Sequence, residues 1–172
     1  FKYAKTLNKS IKLLAMSKAL EQGTLAMVSP CMIDANSPLY MVQDVFNAVL
    51  VKGNMLGDAM FYGKGAGKLA TASAVVADVV ECARNMNTTL PIFWDAEVEK
   101  LVDIADVERA FFVRAKAAYM DEVLETFTGT AIVELEGRDD FAFVTSVMKE
   151  KDFAAKYEAL GDKVITRIRI EA

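Results

Sequence analysis

The fold of the first half of the chain is decided by residues 61–78, which read FYGKGAGKLATASAVVAD. Its first residues end a run of strand length, and three glycines then follow within five residues, as in a sharp turn. Beyond the turn, apolar residues recur at the spacing of one helix face. These residues are Ala72, Val75, Val76, Val79, Val80 and Ala83. The stretch therefore predicts a strand, a glycine-rich turn and an amphipathic helix that covers one face of a sheet.

The segment before this stretch is built of short runs that have the length of strands. They are separated by turn residues, for example Glu21-Gln22-Gly23 and Gly53-Asn54. The runs are Ser10–Lys18, Thr24–Ile33, Val45–Lys52 and Asp58–Tyr62. Because turns link them directly, we predict that they are strands of one sheet.

The last third of the chain alternates strand and helix patterns. Four strands are predicted, at Arg109–Lys116, Thr130–Glu136, Phe141–Met148 and Val164–Ile170. A first helix is predicted at Tyr119–Phe127, and a second is marked by Phe153, Tyr157 and Leu160. The resulting order, β-α-β-β-α-β, is that of the ferredoxin-like split βαβ arrangement. The whole chain is therefore predicted to be α+β, with a mixed sheet covered by helices followed by a ferredoxin-like unit.

A polar stretch that ends at Pro91 separates the strand and helix pattern of the first half from that of the last third. The balance of basic and acidic residues also differs between the two sides. Residues 1–96 carry 9 basic and 7 acidic side chains, whereas residues 97–172 carry 11 and 17. We therefore predict a first domain at residues 1–85, a linker at 86–106 and a second domain at 107–172.

Composition excludes several classes of function. The 172 residues are 53% hydrophobic with a net charge of −4, which supports a sizeable core and disfavours a polyanionic partner such as a nucleic acid. The chain has no histidine, so imidazole bases and most zinc sites are excluded. No apolar run has the length of a membrane helix, which predicts a cytoplasmic protein without membrane partners. Cys31 and Cys82 are predicted to be buried thiols.

The glycine-rich turn does not fit either of two familiar phosphate-binding loops. A P-loop would need glycine at Tyr62 and a hydroxyl residue at Leu69, and a dinucleotide fingerprint would need glycine at Lys68. Two interpretations stay open: a ligand contact at the start of the helix, or glycines that only permit a tight turn.

Other polar and aromatic residues give weaker signals. Asp139 and Asp140 are predicted to be solvated turn residues and Trp94 a packing residue, and no metal site is predicted. Lys64 and Lys68 flank the turn and could meet a phosphate group.

The order and spacing of several motifs resemble those of the homoserine dehydrogenases. The motifs are Ile11–Ala15, Pro38-Leu39, Val45–Val49, Phe61–Gly67 and Thr71–Asp78. The resemblance covers residues 1–85 and matches the C-terminal part of the catalytic region. It implies an enzyme that interconverts L-aspartate 4-semialdehyde and L-homoserine with NAD or NADP, in threonine and methionine biosynthesis.

The resemblance also implies where the chemistry lies. The family's Rossmann domain and catalytic lysine precede the matched region, so we expect no catalytic residue here and no activity of this stretch alone. Gly65, Ala66, Gly67 and Thr71 are the positions expected to contact the cofactor. A homo-oligomer is also implied.

The second domain is similar to the ACT domains found at the end of many bacterial homoserine dehydrogenases. ACT domains that bind amino acids usually have proline and glycine after the first strand, whereas residues 115–121 read AKAAYMD. The alternative function is therefore an ACT-like module that binds an amino acid or mediates dimerisation.

Overall fold

The computed structural model describes residues 1–89, 91–127 and 129–171. Leu90, in the predicted linker, and Ala172, at the end of the predicted ACT-like domain, lie outside the described residues. The chain forms two compact units. We call Phe1–Ser37 with Glu99–Ala172 the sheet unit, and Pro38–Val98 the hairpin unit. The predicted boundaries, at residues 85 and 107, divide the chain differently and stay a prediction.

The sheet unit contains three α-helices and eight strands among its described residues. The helices are α1 (Lys2–Thr6), α3 (Met120–Thr126) and α4 (Glu150–Leu160). The long strands are β1 (Lys9–Leu20), β2 (Gly23–Asp34), β6 (Phe111–Lys116), β7 (Gly129–Glu134), β8 (Asp140–Thr145) and β10 (Val164–Glu171). Two short strands, β5 (Glu108–Arg109) and β9 (Met148–Lys149), pair with each other.

The six long strands form one mixed sheet in the order β1-β2-β10-β6-β8-β7. Helix α3 connects β6 to β7, and β8 lies between these two strands in the sheet. Helix α4 lies on the connection from β8 to β10, and β6 lies between those two strands. This is the split βαβ arrangement that the sequence predicted. The sequence did not predict that β10 would pair in parallel with β2, with Arg169 opposite Cys31. The two predicted domains therefore share one sheet.

Strand β6 lies inside the sheet and is buried on both faces. Phe111, Val113 and Ala115 point to one face, where α3 and α4 contribute Phe127 and Phe153 to the larger core. On the opposite face, Phe112 packs in a second core with residues of α1 and β2, among them Tyr3, Ala4 and Met32. A strand with both faces covered has a continuous apolar run, which is why residues 110–113 show no polar alternation.

The hairpin unit contains β3 (Phe46–Gly53), β4 (Gly57–Lys64) and α2 (Lys68–Arg84). Strands β3 and β4 form a two-stranded sheet of their own, so the prediction of one sheet for all four early strands was wrong. The predicted helix is present, but none of the described residues of α2 is buried. Its valines at 75, 76, 79 and 80 are exposed, so the expectation that this face covers a sheet is wrong for the described chain. Periodicity identifies an apolar face but not what covers it.

Two further predictions of burial were wrong. Cys31 is buried, but Cys82 lies on α2 and is exposed, since that helix buries none of its residues. Trp94 is 89% exposed rather than packed. In the described parts of the chain, no helix is long and apolar enough to cross a membrane.

Candidate functional site

The predicted cofactor-binding residues lie together where β4 passes into α2. Gly65, Ala66 and Gly67 form the connection, and Thr71 lies in the first turn of the helix, where its N–H donates to the Gly67 carbonyl at 3.0 Å. All four residues are exposed. The sequence therefore placed these residues correctly on a turn and a helix start, while their contact with a cofactor stays a prediction.

Gly65 is required by packing inside the hairpin unit. Its N–H donates to the Val45 carbonyl at 3.1 Å, which holds the turn against the start of the hairpin. A Cβ added at this position would overlap the side-chain amide of Asn47. The tight-turn interpretation therefore accounts for this glycine without a ligand.

Gly67 is required by backbone conformation and faces open space. It caps α2 with φ 121° and ψ 146°, a conformation that L side chains rarely adopt. A Cβ built on Gly67 would have no described atom within 4 Å. Nothing described at this position crowds the backbone, so a ligand could approach it closely.

The N-terminus of α2 has the properties of a polar-group binding site. Gly67 provides no side-chain cap, and the first intrahelical hydrogen bond is the one donated by Thr71. The N–H groups of residues 68–70 therefore point outward at the positive end of the helix dipole. Lys64 and Lys68 flank this end and are exposed. The arrangement can hold an anionic or carbonyl group.

The first turn of the predicted ACT-like domain differs from a glycine turn. After β6, residues Ala117–Tyr119 form a single 3₁₀ turn, and the Ala117 N–H donates to the Asp139 carbonyl at 2.8 Å. The Ala117 N–H at the start of this turn is thus already used, and each of the residues 117–119 carries a Cβ. This geometry is a poorer backbone cradle for an amino acid than a glycine turn would be.

Asp140 is the centre of a buried polar cluster that sequence analysis missed. It is 3% exposed, and its carboxylate accepts from Arg138 at 2.6 and 3.0 Å and pairs with Arg114 at 2.7 Å. The Tyr3 hydroxyl lies 2.8 Å from both the carbonyl and Oδ1 of Asp140. The hydrogen bonds from Arg138 lower the pKa of Asp140 to about 2, against the effect of burial. The prediction of a solvated Asp140 was wrong, because the two arginines and Tyr3 replace its water.

A second buried cluster joins α4, β10 and β2. Arg169 donates to both carboxylate oxygens of Glu150, with Nε 3.0 Å from Oε2, and to the Ser29 hydroxyl at 2.7 Å. Arg109 lies beside them, with its Nε 3.5 Å from Glu150. The sequence did not indicate this cluster, because its members lie in four separate segments of the chain and no local pattern connects them.

Comparison with known proteins adds an independent line of evidence. Residues 1–80 match the family model described as homoserine dehydrogenase. A homoserine dehydrogenase of Corynebacterium glutamicum is 33% identical over 92% of this chain and 40% of its own. One from Neisseria gonorrhoeae is 45% identical over 48% of this chain and 19% of its own. The crystal structure of a homoserine dehydrogenase from Thiobacillus denitrificans superimposes with a TM-score of 0.82 and 29% identity.

The relatives that share this fold are dehydrogenases, a class of oxidoreductases. Residues 1–80 thus match the homoserine dehydrogenases, and the matches of the whole chain are consistent with the C-terminal portion of such an enzyme. The superposition covers 99% of this chain but 44% of the Thiobacillus chain, so the chain spans less than half the length of these relatives.

Proposed function

We propose that the chain forms the C-terminal part of an enzyme that interconverts L-aspartate 4-semialdehyde and L-homoserine with NAD or NADP. The observation that carries this proposal is the strand, glycine turn and open helix start of residues 61–78, inside the region that matches the family. Hydride transfer is the chemistry that the nicotinamide supplies when bound. The residues of this chain orient the cofactor rather than react with it.

In this proposal, each part of the turn has a separate role. Gly65 fixes the turn against Asn47, and Gly67 opens the approach to the helix start. The outward N–H groups at the start of α2, with Ala66 and Thr71 beside them, hold a polar group of the cofactor. The uncrowded backbone at Gly67 fits this role, because a close approach needs space where a Cβ would otherwise stand.

A chimera tests the proposal. Residues 1–172 replace the corresponding part of the Thiobacillus denitrificans enzyme, and NAD(P)H formation from homoserine is followed by absorbance. We expect turnover, and Gly67→Ala should raise the KM for the cofactor about tenfold or more, as expected for loss of one or two polar contacts. Gly63→Ala is the matched control, since its Cβ would also meet open space and its backbone is not in the left-handed region. A folded chimera without turnover, or equal cofactor KM for both variants, would contradict the proposal.

We further propose that residues 1–172 alone show no turnover, since the resemblance places the Rossmann domain and the catalytic lysine in the preceding part of the family's chain. The protein is proposed to be cytoplasmic, to serve threonine and methionine biosynthesis and to form a homo-oligomer. Exposed valines on α2 support an oligomer or a further domain, because apolar patches of this kind mark interaction sites.

The second candidate function is regulatory. The split βαβ arrangement of β6 to β10 favours an ACT-like module, whereas the closed turn at Ala117 disfavours an amino-acid effector there. Calorimetry with threonine distinguishes effector binding from a role in assembly. Saturable heat at millimolar threonine would support effector binding, and its absence would leave the role in assembly.

A further inference from the structure

A cavity of about 630 Å³ lies within the sheet unit. One wall is the face of the β1–β2 hairpin that carries Met16, Leu20 and Leu25, and the other is formed by residues 106–110 with the end of β10. Its volume is in the range of small-molecule sites, and much of its wall is apolar. The cavity therefore has room for a small ligand with an aliphatic part.

Several charged side chains on the cavity wall lie next to a group of opposite charge. Asp106 accepts from Lys151 at 2.8 Å. Glu108 and Lys149 lie directly opposite each other in the β5–β9 pair, where unlike charges attract. Three positive and three negative side chains line the wall in all, so the wall carries no net charge, and Arg109 is the buried one among them.

Arg109 is buried and incompletely bonded. It is 7% exposed, and its Nε and Nη1 have no hydrogen-bond acceptor among the described residues. Glu150 is 3.5 Å from Nε but already accepts from Arg169 with both oxygens, and Glu171 is 3.9 Å from Nη1. Buried guanidinium N–H groups without acceptors are costly, and a carboxylate is the group that forms the strongest hydrogen bonds with them.

We propose that this cavity binds a small aliphatic monocarboxylate, with its carboxylate on Arg109 and its tail against Met16, Leu20 and Leu25. The carboxylate supplies a hydrogen-bond acceptor to Nη1 of Arg109. It displaces Glu171, whose side chain is 29% exposed and therefore able to turn toward solvent. This site is independent of the proposed dehydrogenase function, because it shares no residue with the glycine turn.

Calorimetric titration of this chain with 3-methylbutanoate tests the proposal, with neutral 3-methylbutanamide as the matched ligand. We expect saturable binding of the acid at one site and at least tenfold weaker binding of the amide. Arg109→Gln should weaken binding of the acid at least tenfold, with circular dichroism confirming the fold. Glu171→Gln should tighten binding several-fold, because it removes the competing carboxylate.

Glu136→Gln, which removes the same charge at an exposed position outside the cavity wall, is the control and should leave the affinity unchanged. The opposite signs expected for Arg109→Gln and Glu171→Gln cannot both come from a loss of folding. Absence of binding by the acid, equal binding of acid and amide, or no tightening by Glu171→Gln would overturn the proposal.

Discussion

Replacing Asp140 by asparagine removes the charge at the centre of the buried cluster while keeping its shape. Arg138, Arg114 and Tyr3 then face a neutral amide instead of a carboxylate. A native pKa of about 2, against 3.8 as the unperturbed value, corresponds to about 2.4 kcal/mol of stabilisation at neutral pH. The Arg138 and Arg114 side chains are 39% and 32% exposed, so solvent reduces this to about 1–2 kcal/mol.

The assay is urea unfolding of wild type and Asp140→Asn, followed by circular dichroism from pH 7 to pH 3. Because the folded pKa lies below the unfolded one, the carboxylate stabilises the fold fully above about pH 5. Its contribution decreases as the pH falls through 3.8 toward 2, and roughly half of it remains at pH 3. The two proteins should therefore become more alike in stability as the pH falls.

Asp139→Asn is the matched control, since Asp139 is the exposed neighbour of Asp140 and no ion pair of its side chain is found among the described residues. It should change the free energy of unfolding by less than about 0.5 kcal/mol. The prediction is refuted if Asp140→Asn lowers the free energy of unfolding at pH 7 by no more than this control does. It is also refuted if the loss at pH 3 equals the loss at pH 7.

Three further predictions concern other parts of the chain. Phe153→Ala should lower the free energy of unfolding by about 3–5 kcal/mol in urea titrations, because this fully buried ring stacks on Phe111 with the ring centroids 3.7 Å apart. A loss below about 1 kcal/mol would contradict the assignment of Phe153 to the core. Gly65→Ala should lower the midpoint of thermal unfolding by an amount equivalent to about 1–3 kcal/mol, because its Cβ meets an asparagine side chain, whereas Gly63→Ala should change it little. With a thiol reagent, Cys82 should react in the native protein and Cys31 only after unfolding; two equally fast thiols would refute the burial of Cys31.

Much of the secondary structure followed from the sequence. The amphipathic period of residues 72–83 predicted α2, which extends a few residues further at the N-terminal end, to Lys68. The elements β6, α3, β7, β8, α4 and β10 were predicted in the right order, because local periodicity depends on neighbours only a few residues away. The short strand β9 was not predicted. The α+β class was confirmed.

The candidate site was predictable in part. Three glycines between a strand and a helix period indicate a turn at a helix start, and the structure has this turn. The sequence did not show why these glycines are required. Gly65 is required because a Cβ would overlap Asn47, and Gly67 because its backbone φ is positive. Arg109 gave no signal at all, since its neighbours Glu150 and Glu171 are distant in the chain.

By itself, then, the sequence determined the strands, the helices, the glycine turn and the resemblance to the homoserine dehydrogenases, all of which depend on residues close together in the chain. Only the tertiary structure decided that β10 lies beside β2, that β3 and β4 form a separate sheet, and that Asp140 is buried rather than solvated. The physical reason is the same in each case: alternation fixes which face of a strand is apolar, but pairing and burial depend on contacts such as that between Tyr3 and Asp140, which are 137 residues apart.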